Sequence, residues 1–423
     1  MNAFLAAIVC LRAFVALRYR DYRLLSYGQI FGNMGTWMDE VTRGWLIYQL
    51  TDSAAQLGFV RGIQLIPLLL LLPLAGSAAD RYSRKALLLI AQFVMGSVFA
   101  ATALLVFTDL IRPWHVYVTA ILVGGMQVFQ LPARAAMVSD TVPSEYLTNA
   151  MGLHAMIFNM ARIVGPALAG ALIAASGTGS AFSVQAACLF LATAWTAQIR
   201  LPRRHSDGTH KPHRESFGQS IIEGWKFGWR SESVRAGIMC TMIVSLFIFP
   251  FTTLLPVFAR DLLDVGAQGQ GFLLTAMGVG ALISAGLIAS TGHRMKRGIV
   301  MLGSSMLYGF VVVIFAASPW FPLSLGVMVV AGLCHVNANG LVNTVIQSYS
   351  PAEFRGRAMA MFNMNQAFAT AGSMLIGVLS VSLGPRWAVT AMGVAGSLAI
   401  ITMYVALPHA RHQRIGLPPG GGG

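Results

Sequence analysis

The sequence predicts an all-α integral membrane protein with twelve transmembrane helices, arranged as two six-helix halves related by a parallel repeat. The composition, the apolar stretches and a repeat at half the chain length predict this fold. Of the 423 residues, 56% are apolar and only 10% are charged, whereas soluble domains carry roughly 25% charged residues. The mean hydropathy of +0.67 leaves too little polar surface for a water-soluble body. A cytosolic enzyme, a secreted disulfide scaffold and a disordered protein are therefore excluded.

Twelve apolar stretches follow one another, each close to the roughly 20 residues that a helix needs to cross a bilayer. We name them span one to span twelve in chain order. They lie at 23–50, 56–79, 86–108, 115–138, 147–176, 179–199, 236–260, 267–290, 298–317, 321–346, 356–381 and 386–407.

The basic residues predict the orientation. Of the 29 Lys and Arg residues, 22 fall on loops or termini at one side of the membrane, and four lie within spans. The opposite side has only Arg112, Arg260 and Arg386. Positive-inside statistics place both termini and the central loop in the cytoplasm. The net charge of +14 is thus interpreted as anchoring the protein to anionic lipid headgroups of the bilayer, and no nucleic-acid partner is expected.

The same reasoning divides the chain into five parts. They are a cytoplasmic amphipathic arm (1–22), a first six-helix half (23–199), a cytoplasmic central loop (200–235), a second six-helix half (236–407) and a cytoplasmic tail (408–423). In the arm, a short helix over residues 3–20 is expected to lie on the inner leaflet with its arginines toward the headgroups.

A shift of about 210 residues superimposes the first half on the second. The matched residues are Gly76 and Arg84 with Gly286 and Arg294, Pro143 and Glu145 with Pro351 and Glu353, and Asp52, Ala55 and Gln56 with Asp264, Ala267 and Gln268. Parallel halves related by an axis along the membrane normal are typical of secondary transporters, which bind their substrate between two rocking bodies.

The turn after span two reads GSAADRYSRK and resembles the G-x-x-x-D-R-x-G-R-K signature of the major facilitator superfamily. The resemblance implies the major facilitator fold and a cytoplasmic latch formed by Gly76, Asp80, Arg81, Arg84 and Lys85. Asp80 can dock on a helix amino terminus or an arginine, and Arg84 and Lys85 are expected to meet carboxylates and headgroups. Ser83 replaces the internal glycine of the signature, and the second half has Ser290 in place of Asp80. A basic loop with one incidental aspartate is the alternative.

Span five resembles the G-P-x-x-G motif of export-type antiporters in the same superfamily. The residues that carry this resemblance are Arg162, Gly165, Pro166 and Gly170, although the final glycine pair of the motif is absent. The alternative is a kinked packing helix. The segments RYRDYRLLSYGQIFGNMGTWMDEV, YQLTDSAAQLGFV and LPARAAMVSDTVPSEYLTNA are similar to the branch of enterobactin-type siderophore exporters and macrolide efflux proteins.

Only two carboxylates lie within the spans, Asp39 and Glu40 in span one. A charge at the bilayer centre costs about 2.5–3.5 kcal/mol on insertion scales, so such groups need a partner or a function. Glu40 shares a helix face with Arg43, whereas Asp39 lies about 100° away and can pair with Arg43 four residues on. We expect a network of Asp39, Glu40, Arg43 and Arg61 with Glu40 binding the transported proton. A purely structural salt-bridge cluster is the alternative.

Polar side chains elsewhere in the spans predict a substrate cavity. The candidates are Gln29, Asn33, Thr36, Gln127, His335, Asn339 and Asn343. The cavity is expected to bear basic and amide groups with few acids, which favours anionic or neutral polar substrates over cations; these groups are Arg162, His335, Asn339 and Asn343. Arg134 ends span four on a face shared with Gln127 and Gln130. For His335, a packing role is the alternative.

No motif for ATP binding, metalloprotease chemistry or serine hydrolysis occurs in the sequence. We expect no catalytic residues, no metal and no cofactor, hence not an enzyme. The sequence predicts a monomeric, proton-driven exporter in the bacterial inner membrane, which moves a small organic molecule, a siderophore, by alternating access. A macrolide or multidrug pump and an uncoupled facilitator or importer are the alternatives. A membrane sensor is disfavoured, because the longest soluble segment is about 35 residues.

Overall fold

The computed structural model describes residues 14–71, 82–200, 232–291, 297–349 and 364–406. Within these ranges the regular secondary structure is helical and no strand occurs. Ten of the helices described there are long and apolar enough to cross a membrane. The predicted all-α membrane fold is thus confirmed.

The first half forms five continuous helical stretches, which are Arg20–Thr51, Ala54–Leu71, Arg84–Phe107, Pro113–Thr141 and Leu147–Ala197. Span one, Arg20–Thr51, is not among the ten apolar helices, since it carries the charges of Asp39, Glu40 and Arg43. The stretch Leu147–Ala197 contains spans five and six, which separate where Ser176 and Gly177 leave the helical conformation. Gly177 has φ +81°, a value that glycine adopts without the steric penalty of other residues.

The second half begins with an irregular helix and continues with five regular ones. Span seven, Arg235–Leu262, passes from α-helix through π and 3-10 turns around Pro250 and Pro256, because proline cannot donate the helical hydrogen bond. The helices that follow are Gly266–Thr291, Arg297–Ala317, Phe321–Tyr349, Asn365–Leu383 and Pro385–Ala406. Each predicted span coincides, over its described part, with a helix.

Backbone conformation repeats where the sequence repeat predicts equivalent turns. Asp52 and Asp264, matched in the repeat, have φ values of 48° and 52°. Gly177 and Gly384, which end spans five and eleven, have φ values of 81° and 80°. Aspartate is among the few residues that tolerate this left-handed region. The two halves therefore use the same turn geometry at corresponding positions.

The chain forms two compact units. Unit 1 comprises Met1–Thr51, Ile63–Pro212 and Gly266–Gly271, and unit 2 comprises Asp52–Gly62, His213–Val265 and Phe272–Gly423. Two short segments, at the starts of spans two and eight, belong to the unit that contains most of the other half of the chain.

Close helix approaches attach each of these segments to its unit. In unit 1, a Cβ added to Gly271 would lie 3.3 Å from Gly170 Cα. In unit 2, a Cβ added to Gly377 would lie 2.9 Å from Gly58 Cα. Glycine lets membrane helices pack backbone against backbone at such points.

The described end of the predicted arm packs on the start of spans one and five. Val15–Arg18 forms one 3-10 turn. Ala16 N–H donates to Asn149 Oδ1 at 3.0 Å, and the buried Tyr22 hydroxyl donates to Ala150 O at 2.7 Å. Arg18 and Arg20 are exposed, as an amphipathic arm requires. Residues 1–13, with most of the predicted surface helix, lie outside the described residues.

Candidate functional site

Asp39 and Arg43 form a buried ion pair in span one, on consecutive turns of the helix. Asp39 is 7% exposed and Arg43 is 3% exposed. Arg43 donates from Nη2 and Nε to Asp39 Oδ2, at 2.9 and 3.0 Å. Arg43 Nη1 also donates to Thr119 Oγ1 of span four at 3.0 Å. This ion pair therefore compensates both charges within unit 1 and ties span one to span four.

Glu40 differs from Asp39 in its surroundings. Its side chain is half-buried, whereas Asp39 is buried. Arg61, also half-buried, lies in span two within the segment that belongs to unit 2. Because Arg61 belongs to a different unit from the other three residues, the predicted network of Asp39, Glu40, Arg43 and Arg61 stays a prediction. Glu40 is the more accessible of the two carboxylates in span one.

The amide groups of span one lie deep in unit 1. Gln29 and Asn33 are 1% and 3% exposed. Asn33 Oδ1 accepts a hydrogen bond from Arg134 Nη1 of span four. Thr36 donates to the backbone oxygen of Gly32 on its own helix at 2.9 Å. Gln127 of span four is half-buried. The structure thus brings one of the predicted cavity residues, Asn33, next to Arg134.

The span five motif packs tightly against two neighbours. A Cβ added to Gly165 would lie 2.8 Å from Trp37 Cβ of span one. Arg162 lies over the Trp37 ring at 5.4 Å from the centroid, a cation–π contact. At Gly170 an added Cβ would lie 2.6 Å from the backbone oxygen of Ala267. The glycines of the motif are therefore required by helix approach, and a specific antiport role for the motif stays a prediction.

The predicted latch is described in part. Gly76, Asp80 and Arg81 lie outside the described residues. Arg84 Nη1 donates to Asp140 Oδ2 of span four at 2.8 Å, which supplies the expected carboxylate. Lys85 differs from the expectation, because its Nζ donates to the backbone oxygens of Ala197 and Ile199 at 2.7 and 2.6 Å. Lys85 thereby caps the end of span six, where a cation offsets the negative end of the helix dipole.

We predict that Arg84→Gln slows transport by up to about fivefold while membrane abundance stays near normal. The Arg84–Asp140 pair is partly exposed, and such pairs contribute about 0.2–1 kcal/mol. If the pair must break during the cycle, its loss changes the balance of states more than the fold. Initial transport rates in proteoliposomes measure the effect. Restored rates in the charge-reversed double variant Arg84→Asp with Asp140→Arg would support it, and an unchanged rate in Arg84→Gln would contradict it.

In unit 2, His335 is held by aromatic rings. It stacks on Phe249 with ring centroids 4.9 Å apart and meets the Tyr308 ring edge-on at 5.7 Å. Asn339 and Asn343 lie on the same helix, Phe321–Tyr349, and nothing further is described of their side chains. The contacts of His335 fit the packing alternative, and its place in a cavity stays a prediction.

Three functional partners did not follow from sequence reasoning. Thr119 and the Arg134–Asn33 pair depend on helix packing across about a hundred residues. Asp140 was missed because the predicted span four ends at residue 138, whereas the helix runs to Thr141.

Metal and thiol chemistry have little support in the described part of the chain. There, no group of three or more His, Cys, Asp or Glu side chains could hold a metal ion. Cys188, Cys240 and Cys334 are buried free thiols, and burial is the usual setting of a structural cysteine.

The ten described helices that are long and apolar enough to cross a membrane, together with the buried ion pair of span one, define a multi-pass membrane protein with charges inside its spans. The chain belongs to the transmembrane secretion effector family, whose model matches residues 11–415. The predicted family resemblance is thus confirmed.

Characterised relatives match over most of their length. The multidrug efflux pump Tap of Mycobacterium tuberculosis H37Rv is 26% identical over 372 residues, which are 85% of this chain and 87% of Tap. The staphyloferrin A transporter of Staphylococcus aureus is 24% identical, covering 88% and 92%. The enterobactin exporter EntS of Escherichia coli O9:H4 is 23% identical, covering 87% of both chains.

A solved structure supports the fold. An inward-facing, occupied bacterial homologue of the human lysosomal transporter Spinster superimposes with a TM-score of 0.73. It is 13% identical and covers 95% of this chain and 99% of that chain. At this identity the likeness concerns the fold alone. The family model and the characterised relatives show that the chain is a membrane transporter of small molecules of the major facilitator superfamily, not an enzyme, and the superposition agrees with the fold.

Proposed function

We propose that the protein is a proton-driven exporter that moves a small organic molecule out of the cytoplasm by alternating access. The observation that carries the proposal is the near full-length similarity to proteins named as an efflux pump and an exporter. Two parallel six-helix halves suit alternating access, because they can rock about a central site.

The proton would bind at Glu40. Span one holds the two acidic groups within the predicted spans, and Asp39 is buried against Arg43. Glu40 is half-buried, so solvent protons can reach it more easily. Neutralising a charge inside the membrane lowers the cost of moving or burying it. Proton binding at Glu40 would therefore bias which side of the transporter is open.

The cargo would be a siderophore. Two of the relatives are named for staphyloferrin A and enterobactin, and the polar groups buried in unit 1 include the amides of Gln29, Asn33, Gln92 and Gln130 and the guanidinium groups of Arg43 and Arg134. Such groups suit anionic or neutral polar molecules. A multidrug or macrolide pump is the second candidate, since the Tap relatives are named multidrug efflux pumps.

The transporter would lie in a bacterial inner membrane as a monomer, with both termini in the cytoplasm. The excess of Lys and Arg on one side supports this orientation. The exposed Arg18, Arg20 and Arg23 before and at the start of span one are placed to meet anionic headgroups.

Proteoliposomes containing the purified protein test the proposal. Uptake of a catechol siderophore and of a cationic macrolide is compared with and without an imposed pH gradient of about one unit. That gradient is worth about 1.4 kcal/mol per proton, which is a tenfold accumulation for each proton exchanged. We expect gradient-dependent accumulation of the siderophore. Equilibration without accumulation would indicate an uncoupled facilitator, and accumulation of the macrolide alone would favour the multidrug pump.

A further inference from the structure

Unit 1 contains a buried arginine that has no counter-charge among the described residues. Arg134 of span four is 8% exposed, and its side chain points to span one, where Nη1 donates to Asn33 Oδ1. Its Nε and Nη2 atoms have no hydrogen-bond partner among the described residues. Asp39 of span one and Asp140 of span four pair with Arg43 and Arg84. An uncompensated charge at this depth is costly.

The two unpartnered nitrogens have the geometry that a carboxylate requires. Nε and Nη2 form one edge of the planar guanidinium, and this edge binds carboxylates through two parallel hydrogen bonds. The same edge of Arg43 binds Asp39 in this protein, at 2.9 and 3.0 Å. Arg134 therefore presents an unused carboxylate-binding edge.

Gly32 lies beside Nη2 of this edge with Gln92 Nε2 near the same point, whereas Gln29 is one helical turn from Asn33 and Gln130 is one turn from Arg134. Gln29, Gln92 and Gln130, each at most 4% exposed, have at least one amide atom without a partner, as does Asn33. A Cβ added to Gly32 would lie 3.3 Å from Arg134 Nη2 and 3.7 Å from Gln92 Nε2. Glycine at position 32 thus lets the guanidinium approach the backbone of span one closely, and a larger residue there would press on Nη2. We name Arg134, Asn33, Gln92, Gln29 and Gly32 the Arg134 site.

Buried polar groups in proteins are nearly always hydrogen-bonded, so several unsatisfied atoms around one cation indicate a ligand. The guanidinium supplies positive charge and the amides supply both donors and acceptors. We infer that the Arg134 site binds a carboxylate group, carried by the exported molecule as it enters from the cytoplasm. That the carboxylate belongs to the exported molecule rests on the proposed function. That the site binds a carboxylate does not. A small cytoplasmic anion is the other source of the same chemistry.

Thermal unfolding of the full-length protein in detergent micelles tests this inference without any transport. The probe is citrate, titrated at constant ionic strength into an anion-poor buffer, with triethyl citrate as its neutral counterpart. A ligand that binds only the folded state raises the unfolding temperature. We expect citrate to raise it and triethyl citrate to have no effect. Chloride and phosphate are titrated separately to distinguish a small inorganic ion from a carboxylate.

Three variants locate the effect. Arg134→Gln should weaken citrate binding at least about tenfold, and without anions it should unfold no lower than the wild-type protein, because an uncompensated buried charge is gone. Gly32→Ala keeps the charge and should weaken binding less. Arg112→Gln removes an exposed arginine at the start of span four and should bind citrate like the wild-type protein.

Equal stabilisation of Arg134→Gln and wild type by citrate would overturn the inference, as would a wild-type protein that responds to none of the anions. Stabilisation by chloride or phosphate but not by citrate would overturn the carboxylate assignment. A large loss of stability in Arg134→Gln without any anion effect would indicate a structural arginine and would also overturn it. Citrate binding that depends on Arg134, in a protein that exports nothing, would leave the inference standing and contradict the proposed function.

Discussion

Glu40→Gln is expected to abolish transport driven by a pH gradient while membrane abundance and substrate binding stay normal. Glutamine keeps the size and hydrogen bonding of the side chain but stays neutral, so it mimics a permanently protonated carrier. In the wild-type protein a gradient of about one pH unit provides a tenfold substrate accumulation per proton. In Glu40→Gln the ratio of the substrate concentrations on the two sides of the membrane should fall to about one. Substrate accumulation in proteoliposomes with an imposed gradient measures this effect, normalised to the folded protein in each preparation.

Asp39→Asn is the matched control for this prediction. It removes the neighbouring carboxylate, which is buried and bound by Arg43. We expect milder effects on gradient-driven transport and a larger loss of stability, since Arg43 loses its ionic partner. If Asp39→Asn abolishes coupling and Glu40→Gln transports normally, the proton has been assigned to the wrong carboxylate. If neither variant matters, coupling does not run through span one, and His335 becomes the next group to test.

Arg43→Gln should destabilise the folded protein strongly. The guanidinium holds Asp39 through two hydrogen bonds and reaches Thr119 on span four. Removing one partner of a buried ion pair leaves an uncompensated charge, which costs about 3–5 kcal/mol. Thermal unfolding in detergent and the yield of monodisperse protein should both fall clearly below the wild-type values.

The double variant Asp39→Asn with Arg43→Gln separates charge from packing. Replacing both partners removes the charge imbalance, and substitution of a whole buried ion pair is often close to neutral. We expect the double variant to recover most of the stability that Arg43→Gln loses. A double variant as unstable as the sum of both single variants would show that Asp39 and Arg43 contribute independently, contrary to the pairing at 2.9 Å.

The sequence alone determined the helical membrane fold and the superfamily. Length and hydropathy of each span are local properties, because a helix in lipid satisfies its backbone hydrogen bonds within itself. For the same reason the Asp39–Arg43 pair was accessible from sequence, as four residues along one helix bring two side chains together. The repeat was accessible too, and Asp52 and Asp264 share the left-handed conformation that it implies.

The tertiary structure decided the partners of the remaining charges. Arg84 meets Asp140, Lys85 caps span six, and Arg134 lies beside Asn33 with an unused edge. These residues are separated by 56 to 114 positions along the chain. Which helix faces meet is set by side-chain packing and by glycines that permit close approach, as at Gly165 against Trp37. Helix periodicity predicts which residues share a face of a helix but not which helix that face meets. That Arg134 has no counter-charge among the described residues therefore became visible only in the folded protein.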